Sequence, residues 1–171
     1  DCDTFESFQE ALDLNVDNDC IIVNFPTKKM LNKILNKRYR IVDAGGGLVV
    51  NQNDEILFIY RKGKWDLPKG KIEKNEKIKK GAVREVEEEC GITAPIVERD
   101  LKTTLHKYKM KGKECLKRTH WYLMRYEGNE ELVPQLEEDI TKVKWIAKDN
   151  LKKVYKNSYS TILDVLEAYL K

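Results

Sequence analysis

No stretch of this 171-residue chain approaches the roughly 18 consecutive apolar residues that a membrane span needs, and no signal-peptide pattern is visible. Cysteine is scarce. Cys2, Cys20, Cys90 and Cys115 form no C-x-x-C pair and no metal-like spacing with the two histidines. A zinc site or a disulfide framework is therefore not expected, and free thiols in a reducing cytoplasm are. Proline is rare, with four residues, and there are no repeats or low-complexity segments. Neither sign of charge prevails: the net charge of +3 is too small to imply a nucleic-acid partner by itself. What is abundant is a mixture of 41% hydrophobic and 36% charged residues. That balance supports one domain with a buried core and a densely charged surface, with material left over for an extension.

Residues 1–40 read as that extension, packed on a domain running over 41–171. Phe5, Phe8 and Leu12 share one face of a short amphipathic helix over 5–12. The β-rich run 20–25 ends at Pro26, and Thr27 is placed to cap a helix carrying Met30, Leu31, Ile34 and Leu35 on one face and lysines on the other. The domain opens with two apolar strands, 44–50 and 56–61, joined by the turn-rich Asn51-Gln-Asn-Asp54. A helix is expected from about Asn75 to Cys90, closed by Gly91, whose residue type suits a left-handed cap. Strands follow near 96–108, 116–126 and 140–146, then a helix over 158–170. Strands enclosing a mid-chain helix, with another helix at the end, predict an α/β fold of α-β-α sandwich type with a mixed sheet.

The chemistry concentrates in 70–92. Glu85, Glu88 and Glu89 stand at i, i+3 and i+4, so three carboxylates share one helical face. Left bare, they repel one another; opposite a hard divalent cation they become a ligand set. Gly70, Glu76, Arg84-Glu85, aliphatic Val86, Glu88-Glu89, Gly91 and aliphatic Ile92 have the spacing of a complete Nudix box, and the chain is identified by it as resembling the Nudix hydrolases.

That resemblance implies hydrolysis of a nucleoside diphosphate linked to another moiety, with Mg²⁺ or Mn²⁺. It implies Glu85, Glu88, Glu89 and the Gly70 carbonyl as metal ligands. Arg84 would pair with a box carboxylate and fix its rotamer, and Glu76 would give structural support. Family members take their general base either from the box, here Glu88, or from a later loop, where Glu137 and Glu138 are the candidates. Trp65-Asp-Leu-Pro-Lys-Gly-Lys-Ile-Glu73 and the basic hairpin Lys107–Lys113 with Lys117-Arg118-Thr-His-Trp-Tyr122 are similar to the branch acting on dinucleoside and diphosphoinositol polyphosphates. Trp65, Lys69, Lys71, Arg118 and His120 are the residues this similarity points toward a phosphorylated small-molecule substrate. Two alternatives stand beside it: a non-catalytic nucleotide-sensing module of the same fold, and an RNA-end pyrophosphohydrolase. The aromatic residues that stack bases in single-strand binders are thin here.

Overall fold

The computed structural model describes residues 28–171. The expected 5–12 helix, the 20–25 strand and the Thr27 cap lie outside these residues. Two compact units are distinguished. One comprises the described residues up to Ile41 with Lys107–Leu116, and the other Val42–His106 with Lys117–Lys171.

In the first unit, helix α1 (Lys28–Arg38) buries Ile34 and Leu35 and exposes Lys29, Lys33 and Lys37. This is the amphipathic split its spacing demands. Arg38 and Lys107 both lie over the buried Tyr39 ring, 5.6 and 5.9 Å from its centroid, and both pair with Glu114. The unit's hairpin turns at Lys111-Gly112, where both φ angles are positive (50° and 75°). Such a two-residue turn matches the right-handed twist of its strands.

The second unit contains most of a seven-stranded sheet. Its strands are β1 (Arg40–Asn51), β2 (Ile56–Arg61), β3 (Lys64–Asp66), β4 (Lys69–Lys71), β5 (Ile96–Met110), β6 (Lys113–Tyr126) and β7 (Ile140–Ile146). The order is β3-β2-β1-β6-β5, with β4 pairing β1 and β7 pairing β2. Side chains alternate across the sheet, and the alternation builds two cores. Leu48, Val50, Ile56, Phe58, Trp121 and Leu123 face α3 (Lys152–Lys156) and α4 (Ser160–Leu170), meeting Val154, Ile162, Val165 and Leu166. Val49, Leu57, Ile59, Tyr122 and Met124 face the opposite way, toward Ala82, Val86 and Cys90 of α2 (Ile78–Cys90). This is the expected α-β-α layering. Among the described residues no helix is long and apolar enough to cross a membrane.

The contact between β1 and α2 leaves no room. A Cβ at Gly45 would sit 2.9 Å from both the Cβ and the backbone N of Ala82. Helix backbone cannot rotate away as a side chain can, so Gly45→Ala must push α2 off the sheet. We expect a cost of about 2 kcal/mol and a melting point lowered by roughly 5 °C, measured by thermal denaturation.

Candidate functional site

Helix α2 starts at Ile78, three residues after the earliest start the sequence suggests. Asn75 turns left-handed (φ 66°), and the Glu76 carboxylate accepts the Glu73 N–H at 2.9 Å. The turn is thus satisfied by a side chain instead of by helical hydrogen bonds. The helix ends as expected, on Gly91 at φ 71°, which donates to the Glu87 carbonyl at 2.9 Å.

Arg84 organises the acidic face. Its Nε and Nη2 donate to the two Glu76 oxygens at 2.9 and 3.0 Å. Nη1 donates to Glu85 Oε1 at 2.9 Å and to Glu88 Oε2 at 2.8 Å, and Nη2 also reaches the Lys71 carbonyl at 3.2 Å. The fork geometry of a guanidinium suits such bidentate binding. Arg84, followed by the Glu73 N–H, holds the Glu76 carboxyl far down, to about 2. Glu85 moves the other way: burial pushes its carboxyl up against the pull of Arg84, and the charges of Glu88 and Glu138 add to the rise.

Glu89, one turn beyond Glu85, is 1% exposed. Its Oε2 accepts the Lys69 N–H at 2.8 Å, and its Oε1 lies 3.6 Å from Arg61 Nη1. Burial outweighs these partners and raises its carboxyl to about 7. Arg61 extends on its other side to Glu138 Oε2, also at 3.6 Å. Gly70, paired with Gly45 across β4 and β1, lies against the Glu85 carboxylate.

The remaining residues singled out in the sequence lie as follows. Lys69 Nζ pairs with the buried Asp66, whose other oxygen accepts the Leu67 N–H at 2.8 Å. Lys71 is exposed. Trp65 packs edge-on against Tyr60, 4.9 Å between centroids, and borders the α4-side core. Arg118 forks Asp43 at 2.7 and 3.1 Å, and His120 Nε2 lies 3.4 Å from the same carboxylate. The Arg118 hydrogen bond holds the Asp43 carboxyl below its ordinary value. Glu88, Glu137 and Glu138 are exposed, the last two on a short 3₁₀ turn before β7. Arg61 and Asp43 were not picked out from the sequence, and Asp66 and Lys117 only as members of the W-D-L-P-K-G and K-R-T-H-W-Y runs.

Among the described residues no three His, Cys, Asp or Glu side chains converge as a metal cluster. Here Arg84 occupies one oxygen of Glu85 and one of Glu88. The donor chemistry still fits a hard cation: two carboxylates one turn apart, both ionising reluctantly because burial is not offset, beside a backbone strand edge.

Comparison with known proteins places this geometry. The NUDIX domain family model matches residues 41–165. The chain is 33% identical over 114 residues to a putative mutator protein MutT4 of Mycobacterium tuberculosis, covering 60% of this chain but only 45% of that one, so it spans under half of that relative's length. It is 27% identical over 135 residues to an RNA pyrophosphohydrolase of Erythrobacter litoralis, covering 68% of this chain and 81% of that protein. A solved structure of a C. elegans Ap4A hydrolase superposes with a TM-score of 0.58 at 22% identity, over 75% of this chain and 95% of that one. A family match over residues 41–165, well over half of the chain, leads to one conclusion: the chain belongs to the NUDIX domain family.

Proposed function

We propose that the protein hydrolyses a pyrophosphate bond in a nucleoside polyphosphate, such as a dinucleoside polyphosphate, with Mg²⁺ or Mn²⁺. The observation that carries this reading is the buried, reluctantly ionised Glu89 one turn from Glu85, both against the Lys69-Gly70 edge of β4. In this reading Glu85, Glu88, Glu89 and the Gly70 carbonyl hold the cation. When bound, the cation neutralises phosphate charge and acidifies a water. For these residues to hold it, Arg84 would keep its bidentate grip on Glu76 and release the one oxygen it holds on each of Glu85 and Glu88. Glu88, exposed beside the acidic face, accepts the proton of the attacking water. Glu138 is the second candidate for that role, because Arg61 ties it to Glu89. Lys69 and Lys71 flank the edge where the phosphates lie. The likeness in fold to an Ap4A hydrolase supports the substrate class, and the RNA pyrophosphohydrolase relative supports an RNA 5′ end as the second reading.

The test is a panel of dinucleoside polyphosphates, nucleotide sugars and 5′-triphosphorylated RNA with Mg²⁺ or Mn²⁺, products resolved by chromatography. Cleavage of dinucleoside polyphosphates is expected, with Glu88→Gln losing turnover and Glu138→Gln retaining it. A panel left intact with both ions sinks the enzyme reading.

A further inference from the structure

Adjacent residues of β6 serve opposite faces of the sheet. Arg118 and His120 turn to Asp43 on the α2 side. Lys117, Thr119 and Trp121 turn to the other side, where Thr119 is buried and Trp121 packs with Leu67. Gly46 shows what converges there: a Cβ on it would lie 2.7 Å from Lys69 Cβ, from the Pro68 carbonyl and from the Trp121 ring. Lys69 and the Trp121 side of β6 therefore meet over one residue, with Lys117 one strand repeat beyond Thr119.

The charges in this corner are paired unevenly. Lys69 is matched by Asp66, and Arg61 is divided between Glu89 and Glu138. Lys117, half-buried, has no hydrogen bond or ion pair among the described residues, while the charges of both Lys69 and Arg61 bear on it. Burial first, then those two charges, hold its ammonium below its ordinary value; Asp66 and Glu89 oppose them only in part. His106 on the neighbouring β5 is held down too, by partial burial and then by Lys117 and Lys69. A half-buried lysine among like charges is costly unless an anion arrives.

We propose that Lys117, with Lys69, is a seat for an additional phosphate of the substrate, so that this corner selects polyphosphate chains over simple diphosphate bridges. The proposal rests on the pyrophosphohydrolase reading for its location beside the reacting bond, but the binding itself is separable from turnover.

The experiment uses the full chain and two probes, inorganic tripolyphosphate and inorganic pyrophosphate, titrated calorimetrically without divalent ions. Lys117→Met is expected to weaken tripolyphosphate about tenfold and pyrophosphate little, and Lys117→Arg to stay near wild type. In turnover, Lys117→Met should raise KM for a tetraphosphate-bridged dinucleoside about tenfold with kcat nearly unchanged, and leave KM for a diphosphate-bridged one unaltered. Equal tripolyphosphate binding by wild type and Lys117→Met overturns the proposal, as does an equal loss for both probes. Should the tripolyphosphate result hold while no substrate is cleaved, the phosphate seat stands and the hydrolase reading falls.

Discussion

Glu89→Gln is expected to reduce kcat/KM by roughly 10³-fold and, in the same protein without metal, to raise the melting point above neutral pH. The first effect follows from removing a charge that the reaction uses electrostatically. The second follows from burial. The Glu89 carboxyl is raised from 4.5 to about 7 in the folded chain. A carboxyl raised on folding binds its proton more tightly in the native state, so stability falls as pH rises through the window from about 4.5 to 7. Above that window the wild type carries the whole penalty, of order 3 kcal/mol at most. Glutamine keeps an oxygen for the Lys69 N–H and carries no charge, so it escapes the penalty. Thermal melts at pH 5 and pH 8 should therefore show the variant's advantage growing with pH. Adding Mg²⁺ should reverse the order by stabilising only the wild type. A variant less stable than wild type at pH 8 without metal would show that the Glu89 charge is well compensated, and would falsify this account.

Gly70→Ala should be nearly as damaging to turnover, about 10²-fold, with the fold intact. A Cβ at position 70 would lie 1.8 Å from Glu85 Oε2 and 2.1 Å from its carboxyl carbon. The Glu85 side chain must swing away, and a displacement on the scale of 1 Å at a reacting centre costs this much. Because the clash is with the end of a flexible side chain, the melting point should move little. The comparison with Gly45→Ala is the control: that variant meets helix backbone and should lose stability first. Kinetics and melts on both variants decide it. If Gly70→Ala turns over at the wild-type rate, Glu85 is not where the chemistry needs it.

Much of this was legible in the sequence where the signal is local. The runs 56–61 and 140–146 are strands over those same residues, and Gly91 closes α2 with its own backbone angle. Strands β3 and β4, three residues each, carry too few positions for a period to show. The helix start was blurred because Glu76, a good helix former, spends its carboxylate on a turn. The partners of the site were hidden for a different reason. Arg118 and Asp43 are 75 residues apart, and nothing local to either announces the other. Whether Lys117 or Arg118 faces Lys69 is a question of strand parity, which the hydrophobic pattern of β6 answers only once Trp121 and Met124 are assigned to their separate cores.

That two-sided sheet constrains how the chain can change length. One added residue within β1 or β2 would send Leu48 and Phe58 toward α2, and Val49 and Leu57 toward α4, exchanging two unlike cores at a stroke. Insertions are tolerable only where no parity is kept, as at the exposed Gln52–Asp54 and Lys111-Gly112 turns. Related chains of different length should therefore vary at these turns and keep their central strands in step.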